Sequence, residues 1–69
     1  MENQNITGKN IKRLRQEIGL SQEELGSGVG VTKSTISQWE LGKAHPKPKN
    51  IVRLAEQLNV PRETIEEDN

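Results

Sequence analysis

The chain of 69 residues predicts an all-α protein, a compact bundle of about five short helices within one domain spanning 1–69. Three observations carry that expectation. No stretch alternates apolar and polar residues with the period of two that a half-buried strand requires. Helix-start signals recur, each a hydroxyl residue flanked by apolar residues at the spacing of a hydrophobic staple. Glycine and proline then fall between the apolar stripes, at Gly30, Gly42, Pro46, Pro48 and Pro61, where they punctuate helices, although Gly26 and Gly28 fall inside or at the end of the second helix.

Taken in order, Thr7 is the expected cap of a first helix, with Ile6 before it and Ile11 five residues later, and Ile11, Leu14 and Ile18 form its inward stripe. Ser21 opens a second helix. Glu24 stands three residues on, completing a capping box, while Leu20 and Leu25 repeat the staple. Val31, Thr32 and Ile36 do the same for a third helix, which buries Ile36 and Trp39 and stops at Gly42. Pro48 suits the first turn of a fourth, because its missing N–H needs no partner there. Ile51, Leu54, Ala55 and Leu58 are that helix's inward face. Beyond Pro61 a short last helix has Ile65 as its apolar anchor, and residues 66–69 are expected to fray.

Composition narrows the function classes. Leu, Ile and Val number 16 of 69, with one Trp and no Phe, Tyr or Cys, so a thin aliphatic core around Trp39 is feasible but a deep catalytic pocket is not expected. Self-association is the available supplement for so small a core. No apolar run is long enough for a membrane span or signal peptide, so a cytoplasmic location is expected. Net charge is zero yet unevenly placed. Residues 1–49 carry eight Lys+Arg against five Asp+Glu, whereas residues 50–69 carry two against five, so one end is suited to an anionic partner.

The stretch GSGVGVTKST, residues 26–35, imitates a phosphate-binding loop. It fails both nucleotide patterns: Ser27 stands where the Walker motif needs its first glycine, Thr32 where it needs its second, and Val31 occupies the last glycine position of G-x-G-x-x-G. No catalytic residue, cofactor or metal is expected. His45 has no second ligand nearby, and the neighbours Glu23 and Glu24 point in different directions from a helix.

A different pattern uses the same residues. Gln22, Leu25, Gly26, Val29, Gly30, Val31, Ile36 and Trp39, continued by LSQEEL, TKSTISQWELGK and RLAEQLNV, cover roughly residues 9–65. This spacing resembles the helix-turn-helix of the phage repressor and Cro family, also called the XRE family, whose lambda-repressor-like fold agrees with the five-helix reading. The helix-turn-helix would span about residues 21–41. The resemblance implies sequence-specific binding of double-stranded DNA by a transcriptional regulator, a repressor acting as a homodimer on a pseudo-palindromic operator and associated with the nucleoid when bound. An antitoxin-like protein-interaction module, docking through the acidic segment 50–69, is the alternative.

Helical spacing with Ile36 and Trp39 inward leaves Lys33, Ser34, Ser37 and Gln38 outward, and these are the candidate base contacts. Gln can bond adenine N6 and N7, Lys can donate to guanine O6 and N7, and Ser is permissive. Gln22, Thr32, Lys43 and Lys47 are the candidate backbone contacts, with Lys49 extending the basic loop. By resemblance, Gln22 matches a phosphate-binding glutamine, Lys43 a lysine at the groove edge, and Arg15 and Glu40 a structural ion pair. Val60 and Ile65 are the candidate dimer interface. Leu41 departs from the family pattern, which has a usually polar residue there, as do Ser27, Gly28 and the Lys47–Pro48 start of the fourth helix.

Overall fold

The computed structural model describes residues 5–68. Its helices are α1 (Ile6–Glu17), α2 (Gln22–Val29), α3 (Lys33–Leu41), α4 (Pro48–Leu58) and α5 (Arg62–Glu66), and no strand occurs among the described residues.

Local chemistry accounts for most of the boundaries. At α2, Ser21 Oγ accepts from the Glu24 N–H at 2.9 Å while Glu24 Oε1 accepts from the Ser21 N–H at 2.8 Å, which satisfies two donors that helix geometry would otherwise leave orphaned. The α3 start is capped by Thr32 Oγ1, which accepts from the Thr35 N–H at 3.1 Å. Pro48 occupies the first turn of α4. Gly42 ends α3 in the left-handed region.

The α2–α3 turn depends on two glycines for different reasons. Gly30 adopts φ +94°, a conformation open to glycine and costly to a residue with a side chain. Its N–H and that of Val31 both donate to the Gly26 carbonyl, at 2.8 and 2.9 Å. Gly26 is needed for space. A Cβ there would lie 2.8 Å from the Val31 carbonyl oxygen and 3.2 Å from Thr32 backbone atoms, so the chain can double back onto α2 only where no side chain intervenes.

All five helices contribute to one core, in which Ile11, Leu25, Ile36, Ile51, Leu54 and Ile65 are fully buried and Trp39 nearly so. Leu20, Val31 and Val60 pack against it from partly exposed positions. Trp39 therefore fills space between helices and does not offer a stacking surface.

Two expectations are corrected, and a third gains a structural detail. Thr7 does not cap α1: it lies buried inside the first turn, and the cap position is Asn5, with φ 42° and no side-chain bond to the helix. The Asn5 amide instead donates across the molecule to the Glu40 carbonyl at 2.9 Å. Ile18 is not part of the inward stripe, because α1 ends at Glu17 and Ile18 is half exposed. The segment expected to fray from Glu66 onward has a tie at its start. Glu66 closes α5, and buried Asn10 donates to the carbonyls of Ile65 at 2.8 Å and Glu67 at 2.6 Å, tying the C-terminal segment to α1. Asn69 lies outside the described residues.

Candidate nucleic-acid interface

The outward face of α3 is built by subtraction. Ile36, Trp39 and Glu40 are committed inward, whereas Lys33, Ser34, Gln38 and Leu41 are exposed and Thr35 and Ser37 are half-buried. Thr32 is exposed just before the helix, its hydroxyl 3.0 Å from that of Thr35. Four candidate base contacts thus occupy one side of a nine-residue helix. None has a structural duty in the core.

The positive end of the α3 dipole adds to this face. Its first turn carries no acidic residue, and its first residue is Lys33. Lys43, Lys47 and Lys49 are all exposed, in the loop leaving α3 and at the head of α4. α4 also lacks an acidic residue in its first turn and a side-chain cap. The only carboxylate on α3, Glu40, is buried and neutralised.

That neutralisation ties α3 to the rest of the fold. Arg15 Nε donates to Glu40 Oε2 at 2.6 Å and Nη2 to Oε1 at 3.1 Å, a two-point contact, while Nη1 donates to the Leu20 carbonyl at 2.8 Å. Gln22 Nε2 donates to Glu40 Oε1 at 3.0 Å. Glu40 therefore joins α1, α2 and α3 through its side chain, and its carbonyl is held by Asn5. A guanidinium suits the role because its planar fork matches a carboxylate geometrically.

Gln22 acquires an internal partner that the sequence did not reveal. Its amide has two N–H groups, and only one is used on Glu40, so the second can still serve an anion at the start of α2. Asn5 and Asn10 were missed altogether. Asparagine is a poor helix former, which is the sole local hint at Asn10; its partners lie 55 and 57 residues away.

The interface residues fare differently. Ile65 is fully buried inside the protomer, where it anchors α5 to the core, so it cannot present a dimer surface. Val60 is partly exposed and lines a shallow groove between α4 and α5 with Val52, Ala55 and Pro61, together with Glu56 and Arg62. The glycine-rich stretch is not a loop around a phosphate: Gly26 and Gly28 lie in α2, Gly30 is its C-cap, and Thr32 caps α3. No cluster of three or more metal-ligating side chains occurs among the described residues, and no helix among them is long and apolar enough to cross a membrane.

With this geometry in place, comparison with known proteins assigns the family. The helix-turn-helix family model matches residues 11–65. The chain belongs to the helix-turn-helix family, in its XRE-type branch. A helix-turn-helix transcriptional regulator of Methanothermobacter thermautotrophicus is 44% identical over 57 residues, covering 83% of this chain and 80% of that relative. Repressor protein C2 of Salmonella phage P22 is 34% identical over 56 residues, covering 81% of this chain and 26% of the repressor. The crystal structure of the P22 c2 repressor in complex with a synthetic operator superposes with a TM-score of 0.84 at 30% identity, covering 91% of this chain and 94% of that one. The chain thus spans about a quarter of the length of the full phage repressor.

Proposed function

We propose that this protein binds double-stranded DNA sequence-specifically as a transcriptional regulator, a repressor working as a twofold dimer on a pseudo-palindromic operator. The observation that carries this reading is the α3 face, on which Lys33, Ser34, Ser37 and Gln38 stand clear of the core on a helix that belongs to a helix-turn-helix. The likeness to a repressor held on an operator supports it.

In this reading the N-terminal and outward residues of α3 enter the major groove while α2 lies across the backbone. Gln38, Lys33, Ser34 and Ser37 contact base edges. Gln22, Thr32, Lys43 and Lys47 contact phosphates and set the register. Arg15 and Glu40 hold α3 at the correct angle and touch no DNA. One α3 reads too few bases for selectivity, whereas two about 34 Å apart meet successive major grooves on one side of the duplex. The groove containing Val52 and Val60 is the surface that brings two copies together. The protein acts in the cytoplasm, where the operator is, and performs no catalysis.

Selection of the purified protein against random duplex DNA at physiological salt tests this. Enrichment of paired half-sites one helical turn apart is expected. A pool that returns unenriched overturns sequence-specific reading and turns attention to a protein partner docking on the acidic 50–69 segment.

A further inference from the structure

Three large apolar side chains are exposed among the described residues: Ile18, Leu41 and Val52. Ile18 caps the end of α1, and Val52 lines the α4–α5 groove. Leu41 is the most exposed, at 62%, and neither of those explanations applies to it. It is the last residue of α3, held in helical conformation because Gly42 ends the helix immediately afterwards and Lys43 N–H bonds back to the Gln38 carbonyl at 2.9 Å.

Helical geometry puts Leu41 on the same side as the polar candidates. It lies seven residues after Ser34, four after Ser37 and three after Gln38, so these side chains form one continuous stripe opposite Ile36, Trp39 and Glu40. The stripe begins with Lys33, is followed by Lys43, and carries no carboxylate. A partner seated on it is therefore anionic and must also offer something apolar at one end. Base edges in the major groove present hydrogen-bond donors and acceptors at every pair, and one apolar group: the C5-methyl of thymine.

We infer that Leu41 is a specificity-determining residue that packs on a thymine C5-methyl at one position in each half-site, an assignment that rests on the DNA-binding reading proposed above. The leucine selects by what it cannot do. It gives cytosine N4–H or guanine O6 no hydrogen-bond partner, so those groups are dehydrated without compensation, whereas the thymine methyl gains by leaving water.

Replacing thymine by deoxyuridine removes that methyl and nothing else. Each thymine of a selected operator is exchanged in turn, symmetrically in both half-sites, and affinity is measured by fluorescence anisotropy for the wild type and Leu41→Ala. At one symmetric pair the wild type is expected to lose about fourfold per half-site, the factor for one methyl-sized group withdrawn from water. Leu41→Ala is expected to bind the thymine and deoxyuridine duplexes equally at that pair, with its melting temperature unchanged because the side chain is exposed.

The same deoxyuridine profile in both proteins overturns the inference, as does uniform weakening of every duplex by Leu41→Ala, which would place the leucine on the sugar-phosphate backbone. A selected half-site without thymine also overturns it. Selective binding with an unaltered profile removes this assignment alone, whereas absence of any selective binding removes the DNA-reading proposal with it.

Discussion

Arg15 and Glu40 are separated by 25 residues, yet their side chains meet with both oxygens of the carboxylate engaged. Burial sets the stakes. A buried pair gives little net stability over apolar residues of similar shape, but removing one partner strands the other, at about 3–5 kcal/mol. Arg15→Ala leaves Glu40 in the core with only the neutral Gln22 amide beside it, and the Leu20 carbonyl also loses its donor. Thermal unfolding should therefore occur more than 10 °C lower than in the parent, taking about 4–8 °C per kcal/mol for a domain of this size. Lys12→Ala, on the exposed side of the same helix, should stay within about 0.5 kcal/mol. Equal melting of the two variants would remove the ion pair's role. The double variant lacking Arg15 and Glu40 should lose less than the two single losses combined, since neither charge is then left alone.

The base-reading and phosphate-binding roles separate by a different experiment. Gln38→Ala should relax preference at one base position while leaving other positions intact, at about 1–3 kcal/mol for the matched base. Lys43→Ala should weaken all duplexes alike and reduce the salt slope by about one. The outward placement of Gln38 was legible in the sequence because Ile36 and Trp39 identify the buried side. Gln22 was only half legible, since its bond to Glu40 joins two helices that no local pattern relates.

Among the elements, α2, α3 and α4 could be placed from sequence because their start signals act within one turn: a capping box at Ser21, a hydroxyl cap at Thr32, a proline at position 48. α1 and α5 were legible as helices too, but the cap of α1 and the tie that holds the tail were not. Asn5 spends its side chain on α3 and Asn10 spends its own on the C-terminal segment, so the residues that fix those ends are distant in sequence. Gly26 illustrates how element packing outweighs local preference. Alanine there would gain roughly 1 kcal/mol of helix propensity. It would also push a methyl against the Val31 and Thr32 backbone, which cannot rotate aside, at a cost of about 1–3 kcal/mol. Gly26→Ala should therefore lower the midpoint of urea unfolding; a raised midpoint would mean that the turn can open to admit a methyl.

For the molecule as a whole, the split of charge and the exposed groove bear on assembly. The Lys-rich part, residues 1–49, carries the α3 face, and the acidic part, residues 50–69, carries the α4–α5 groove, whose lining includes Glu56 and Arg62. Like-charged lysine surfaces can then both face one duplex while the groove faces of two copies meet. A twofold axis through the groove would bring Val52 and Val60 against their own counterparts and lets Glu56 of one copy approach Arg62 of the other, a self-complementary pattern that an isologous interface requires. Ile65 takes no part in such a contact, since it is fully buried within the protomer. Val52→Asp puts two carboxylates across the axis without touching the core, because the side chain is 41% exposed. Unfolding should change little. Sedimentation on operator DNA should show the parent binding as two copies and the variant as one, with affinity for an isolated half-site preserved and affinity for the full operator reduced by about tenfold or more, since the second copy no longer gains from the first. Full-operator binding that survives Val52→Asp at two copies per site would place the dimer contact elsewhere, leaving the groove as an incidental feature of how α5 folds back on α4.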